Sequence, residues 1–141
     1  MILVDSGALY ALNDFSDSSH EAAARSYSEL KESETSMALT QPVMIELWQL
    51  VSRRKNLFYA DKLWELMISG LFVILDISNA DLTKAFEIRK KYADSKMSMV
   101  DATSLSACER HKIRRVFTLD REHFGIYKPS FAELLEIVPE I

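Results

Sequence analysis

The apolar residues of this chain fall into two patterns. Short unbroken runs, Ile2-Leu3-Val4, Phe72-Val73-Ile74-Leu75 and Val116-Phe117, stop after a few residues at a polar position. Runs of that length predict strands buried on both faces, as in a parallel sheet. Elsewhere apolar residues recur every three or four positions, the period of a helix with one face turned inward. Read together, the patterns predict strands over 2–5, 36–39, 72–75 and 115–119, with one or two more in the segments 124–127 and 134–138. Helices are predicted over 6–12, from caps at 17–21 to 32, and over 40–54, 57–69, 80–93 and 100–111. Several open with cap chemistry: Asp17-Ser18-Ser19, Thr40-Gln41-Pro42 and Ser78-Asn79 offer side-chain oxygens or a first-turn proline. In 80–93 the amphipathic register runs through Leu82, Phe86, Ile88 and Arg89. Strand and helix alternate throughout. The expected class is therefore α/β: a parallel sheet covered on both faces, with ligands bound beyond the carboxyl ends of the strands where the strand order reverses.

Four acids break the pattern. Asp5 closes Ile2-Leu3-Val4, Glu46 interrupts Val43-Met44-Ile45 and Leu47-Trp48, Asp101 follows Met99-Val100, and Asp120 follows Val116-Phe117-Thr118-Leu119. A buried, unpaired carboxylate is costly or is forced to protonate. Four apolar segments that each meet a carboxylate suggest that the four converge on a cation. With no Cys or His among them the ligands are hard oxygens, which suit Mg²⁺ or Mn²⁺ better than Zn²⁺ or copper. Such clusters commonly serve phosphodiester or phosphoryl transfer. Asp5 and Asp120 come at or just past the carboxyl end of a strand. Glu46 shares the apolar stripe of its helix with Val43 and Leu50, and Asp101 shares a face with Leu105 and Cys108. Taken singly, each has a plain structural explanation: Asp101 complements a helix dipole and Asp5 caps a helix. It is their agreement that points to a site. Ser6 and Thr118 stand beside Asp5 and Asp120 as supporting hydroxyls. Asp76 also ends an apolar run, but reads as a turn residue behind an outer strand.

Length and composition narrow the class. The chain has 141 residues, 48% apolar and 27% charged, the size and balance of one globular domain with a core that needs no disulfides. No stretch approaches the length of a membrane span, and Met1-Ile2-Leu3-Val4-Asp5 reads as a first strand, not a signal peptide. The expected location is the cytoplasm, consistent with the single Cys108. A net charge of −4 argues at face value against a nucleic-acid binder, but divalent ions in a four-acid pocket would cancel that much charge locally. The basic clusters Arg53-Arg54-Lys55, Arg89-Lys90-Lys91 and Arg110-His111-Lys112 fit helix C-terminal turns.

In order along the chain, Val4-Asp5-Ser6 ends a strand, Glu46 lies in a helix, Asp101 opens a helix and Thr118-Leu119-Asp120 closes a strand. In this the sequence resembles the PIN-domain ribonucleases over essentially its whole length. Its size and the tail Asp120-Arg121-Glu122-His123-Phe124-Gly125-Ile126-Tyr127 are similar to the VapC toxin branch, paired in prokaryotes with a small antitoxin. The resemblance implies a three-layer α/β/α, Rossmann-like fold with a central, mainly parallel sheet of about five strands, formed by residues 1–141 as one domain. It carries over Asp5, Glu46, Asp101 and Asp120 as metal-binding catalytic acids, Thr118 as the hydroxyl of the Thr-x-Asp motif, and one or two Mg²⁺ or Mn²⁺ ions as cofactor. It further implies endonucleolytic hydrolysis of RNA leaving a 5′-phosphate and a 3′-hydroxyl, an antitoxin partner, and a homodimer formed through the helices from Pro42 to Ser69. The family often adds an acid shortly after the fourth, and Glu122 is the nearest here. His123, close to Asp120, is a candidate to line the substrate groove, whereas His20 and His111 read as helix-end surface residues. Met97 and Met99 read as packing. Trp48, Trp64 and Tyr127 are the aromatics available to stack on unpaired bases, although core packing explains Trp48 more simply.

Two rival readings are weaker. A phosphatase of the haloacid-dehalogenase type needs a second Asp two residues after its nucleophile, and position 7 is Gly. A catalytically silent module, whose acid pocket only accepts a basic side chain from a partner, would be expected to have lost at least one of the four acids.

Overall fold

The computed structural model describes residues 1–140. The chain runs β1 (Ile2–Val4), α1 (Ser6–Asn13), α2 (His20–Glu32), β2 (Met37–Thr40), α3 (Gln41–Arg54), α4 (Leu57–Met67) and β3 (Val73–Leu75). It continues through α5 (Asn79–Lys91), a short 3-10 turn (Ala93–Ser95), α6 (Met99–His111), β4 (Arg115–Phe117), α7 (Arg121–Ile126) and β5 (Glu136–Val138). All five strands are parallel, in the order β3-β2-β1-β4-β5. The α/β class and the parallel sheet are as expected.

Successive residues of β1 serve opposite layers, because strand side chains alternate. Ile2 and Val4 join Leu39 and Phe117 in a core completed by Ala8 and Leu9 of α1, Ala23 and Leu30 of α2, Val43 and Leu47 of α3, and Leu63 and Met67 of α4. Leu3, Ala38 and Val116 face the other way, onto Ala85 and Ile88 of α5, Leu105 and Cys108 of α6, and Phe124 of α7. The result is three layers, helix on sheet on helix.

Local chemistry sets the helix starts. Thr40 Oγ1 accepts from the Val43 amide at 3.4 Å with Pro42 in the first turn, and Asn56 Oδ1 accepts from Tyr59 at 2.9 Å. Ser78 and Asp81 form a reciprocal capping box, with bonds of 2.8 and 3.2 Å. After α4 the chain turns at Gly70, whose φ of +98° favours a residue without Cβ.

Two local expectations differ from the structure. The segment 124–127 is not a strand: Phe124 to Ile126 lie in α7, because Asp120 caps that turn by accepting from the His123 amide at 3.0 Å. Only the segment around 136–138 supplies the last strand. In α5 the buried stripe is Asp81, Ala85 and Ile88, while Leu82 and Phe86 are exposed. The capping box and the Arg110 guanidinium, 3.4 Å from Asp81 Oδ2, hold Asp81 inward and so rotate the larger apolar residues out.

Candidate active site

The topology fixes where a site can form. From β1 the chain moves outward through β2 and β3, then returns to the other side of β1 for β4, so the strand order reverses between β1 and β4. Connections leave that point in opposite directions and open a crevice at the carboxyl ends of these two strands. Asp5 follows β1 directly, and its amide extends the ladder by donating to the Phe117 carbonyl at 2.9 Å. Thr118 follows β4 directly. Its hydroxyl donates to Asp5 Oδ2 at 2.8 Å and accepts from the Asp120 amide at 3.0 Å. One buried hydroxyl thus uses its proton on the first acid and a lone pair on the loop that carries the fourth.

The helices bring the other two acids. Ser6, opening α1, donates its hydroxyl to Glu46 Oε1 on α3, so α1 and α3, neighbours on one face of the sheet, are tied at the crevice. Ser98 Oγ accepts from the Asp101 amide at 3.1 Å and caps α6, which holds Asp101 in the first turn. All four acids, with Ser6, Gly7, Ser98 and Leu119, line one cleft of about 390 Å³. A larger cavity of about 590 Å³ is walled by Tyr10, Phe15, Val51, Tyr59, Leu63 and Leu66. That cavity is mainly apolar, its Asp14 is paired with Lys55 at 3.4 Å, and the converging carboxylates lie in the smaller cleft.

Electrostatics in the cleft is unfavourable without a cation. Asp5 is only 6% exposed. Burial, together with the charges of Asp101 and Glu46, pushes its carboxyl up to about 7 against the help of the Thr118 hydroxyl and the Ser6 amide. Burial and the neighbouring Asp120 raise Asp101 as well. Among the described residues no cationic side chain pairs with Asp5. A hard cation answers both deficits, and the oxygen donors present fit one.

His123 enters this group as well. Its Nδ1 lies 2.7 Å from Asp120 Oδ2 and 3.6 Å from Asp101 Oδ2, and its Nε2 lies 2.7 Å from the Ser95 carbonyl. Partial burial works to lower the ring's pKa, but the hydrogen bonds to Asp120 and Ser95 and both carboxylate charges outweigh it, and the net direction is upward. Asp101, Asp120 and His123 each offer a ligand atom within 4.8 Å of the others.

Several other candidates fall elsewhere. Glu122 is exposed and does not line the cleft. Tyr127 is 4% exposed, with its hydroxyl bonded to Glu109 at 2.6 Å, so it offers no face to a base. Trp48 and Trp64 pack against the first core, and Trp48 Nε1 donates to Asp61 at 3.0 Å. Asp76 ends the edge strand β3 and accepts from the Gln41 amide at 3.2 Å, a turn role as expected. Ser98 is the lining residue that the apolar pattern alone does not flag. Its signal is the Ser98-Met99-Val100-Asp101 spacing of a helix cap.

Comparison with known proteins now decides the family. Residues 2–128 match the family model described as the PIN domain. The chain belongs to the PIN domain family. Among curated relatives of this PIN protein, Ribonuclease VapC26 of Mycobacterium tuberculosis is 26% identical over 138 residues, which is 98% of this chain and 100% of that protein. The crystal structure of Mycobacterium tuberculosis VapC20, described as a sarcin-ricin loop cleaving toxin, superposes with a TM-score of 0.80 at 23% identity, over 96% of this chain and 99% of that one. The DNA-bound VapBC structure from Salmonella typhimurium superposes with a TM-score of 0.68 at 13% identity, over 97% of both chains. These structures share the fold.

Proposed function

We propose that this PIN protein is a metal-dependent endoribonuclease, the toxin of a toxin–antitoxin pair, with Asp5, Glu46, Asp101 and Asp120 as its catalytic, metal-binding acids. The observation that carries the proposal is the convergence of four carboxylates on one cleft, with Asp5 paired to no cationic side chain among the described residues. The naming of the relative VapC26 as a ribonuclease and of VapC20 as a sarcin-ricin loop cleaving toxin supports the same reading.

Mg²⁺ or Mn²⁺, one or two ions, would be held by these acids. Bound there, such ions would supply neutralisation of the carboxylates and Lewis-acid activation of water toward a phosphodiester. The chain's own part is positioning. Thr118 fixes Asp5 and the Asp120 loop together, Ser6 turns Glu46 into the cleft, and Ser98 holds Asp101 at the head of α6. No side chain is called upon as a nucleophile. A single-stranded loop of RNA is the substrate we assign, since unpaired loops are the usual targets of selective RNA recognition.

The partner we assign is a small antitoxin that presents an Arg or Lys to the acidic cleft, favoured by the chain's net charge of −4. We also assign a homodimer through α3 and α4, where Ile45, Leu57, Phe58 and Leu66, with Ile68 just past α4, stand exposed. No helix among the described residues is long and apolar enough to cross a membrane, and the cytoplasm is the location that suits an RNA substrate.

The test is incubation of total cellular RNA with the purified protein, in Mg²⁺ or Mn²⁺ or with chelator, followed by mapping of new 5′ ends, with Asp5→Asn alongside. Discrete metal-dependent cuts that vanish in the variant are expected. RNA left intact at every metal concentration, or cut equally by the variant, would overturn the catalytic reading and leave a binding module.

A further inference from the structure

The His123 ring has one edge fixed and one edge aimed. Nε2 lies 2.7 Å from the Ser95 carbonyl. A carbonyl can only accept, so Nε2 carries a proton and Nδ1 is the nitrogen left to face the acids. Nδ1 stands 2.7 Å from Asp120 Oδ2 and 3.6 Å from Asp101 Oδ2. In the metal-free protein a proton on Nδ1 can answer the carboxylates as an ordinary hydrogen bond to Asp120, and a divalent ion would take that proton's place and use the Nδ1 lone pair. A ring whose other N–H is held by a backbone carbonyl is also the usual outer arrangement of a metal-bound imidazole.

The local backbone builds this geometry. Asp120 Oδ1 caps α7 by accepting from the His123 amide at 3.0 Å, which places both residues on one turn with their side chains adjacent. Ser95 belongs to the 3-10 turn before α6, so the ring also joins the loop ahead of Asp101 to the loop that carries Asp120. Side-chain exposures of 13% for Asp101, 18% for His123 and 32% for Asp120 leave all three partly accessible to solvent.

We propose that His123, through Nδ1, is a nitrogen ligand of a divalent ion held with Asp101 and Asp120, and that it biases this cleft toward Mn²⁺ over Mg²⁺. The inference rests on the metal-nuclease reading above and adds a ligand that an oxygen-only set lacks. Mg²⁺ demands oxygen ligands and retains its waters, whereas imidazole is a good ligand for the transition ions. Glu122, the nearest acid after Asp120, is exposed, and it is the histidine that stands beside Asp120 and Asp101 at the edge of the acid group.

The experiment uses the full chain, stripped with chelator and loaded with Mn²⁺. Pulsed electron paramagnetic resonance of the bound ion reads nitrogen coordination directly, and calorimetric titrations with MnCl₂ and MgCl₂ read affinity. The wild type is expected to show a ¹⁴N coupling that persists in His20→Ala and His111→Ala and disappears in His123→Ala and His123→Gln. Mn²⁺ affinity is expected to fall about tenfold or more in both His123 variants, with Mg²⁺ affinity changed by less than about threefold. Bound Mn²⁺ without ¹⁴N coupling in the wild type overturns the proposal whatever the variants do. So does an equal loss of both metals in variants that melt like the wild type. A wild type that shows the coupling but leaves RNA intact would sink the ribonuclease reading and keep the ligand. One that cuts RNA through an all-oxygen ion would do the reverse.

Discussion

Two carboxylates of this fold are held in opposite ways. Glu109, on α6, accepts from the Tyr127 hydroxyl at 2.6 Å and from the Ser130 amide and hydroxyl at 2.8 and 2.5 Å. Partial burial works to raise its pKa, but these donors outweigh it and hold the carboxyl below its ordinary range. Asp5 sits deeper, has Thr118 and the Ser6 amide as donors, and faces Asp101 and Glu46. Its carboxyl is pushed up to about 7. Given enough donors, an acid fastens a segment of chain, here the tail after α7 to α6. Surrounded by other acids, it is left needing a cation, and the fold carries that cost at the end of its central strand.

Asp5→Asn should separate the two kinds of acid most sharply. With the metal-nuclease reading, cleavage falls by about a thousandfold or more, since a neutral amide is a poor ligand for a divalent ion and removes part of the site's charge. Stability should move the other way in metal-free protein. The folded pKa of about 7 lies above the ordinary 3.8, so between those values the folded state holds a proton that the unfolded chain releases. The stabilisation is therefore full below about pH 4 and lost as pH rises through about 7. In thermal melts at pH 8 the variant should exceed the wild type by several degrees, with the gap closing toward pH 4. A variant that melts lower at pH 8 would mean that Asp5 is paired after all.

Metal should reverse that order. Adding Mn²⁺ to the wild type at pH 8 should raise its melting temperature in proportion to the logarithm of concentration, worth about 2.7 kcal/mol at a hundred times the dissociation constant. The rise should be smaller at pH 5, where a proton on Asp5 competes, and smaller again in Asp5→Asn. An equal rise in both proteins at both pH values would place the ion elsewhere.

The paired acid gives the complementary result. Glu109→Gln, read by denaturant melts, should destabilise by about 1–3 kcal/mol, because it weakens charge-assisted bonds from Tyr127 and Ser130. Cleavage per folded molecule should be unchanged. A loss of cleavage without loss of stability would mean that the tail fastening reaches the site.

The same contrast shows which parts were legible in the sequence. β1 is readable because the unbroken run Ile2-Leu3-Val4 is buried on both faces, and Asp5 because it ends that run. β4 offers only Val116-Phe117 before Thr118-Leu119-Asp120, and the longer run of β3 misleads, since Val73 and Ile74 of that edge strand are exposed. Glu46 is readable because an acid in an apolar stripe needs a reason. Ser98 needs its cap spacing to be noticed. α7 is not readable from periodicity: Phe124-Gly125-Ile126-Tyr127 looks like a strand, and the cap by Asp120 decides otherwise. Misreading that turn also leaves His123 a candidate on closeness in sequence alone, since its contact with Asp120 follows only when the two share one turn. The stripe of α5 is lost for a related reason. A polar pair, Asp81 with Arg110, outweighs the larger apolar residues Leu82 and Phe86 in choosing the inward face.

Asp76 supplies the smallest expected effect. Like Asp5 it ends a strand, but β3 is the edge of the sheet and no strand order reverses there. Its carboxylate is exposed and accepts from Gln41 at 3.2 Å, while its backbone carbonyl accepts from Arg110 at 2.7 Å. Asn keeps the side-chain acceptor and leaves the carbonyl untouched. Asp76→Asn should therefore stay within about 0.5 kcal/mol of the wild type and cut RNA at the same rate. If cleavage instead fell tenfold, position at a strand end alone would matter, and crowding among acids could no longer explain why Asp5 differs from the rest.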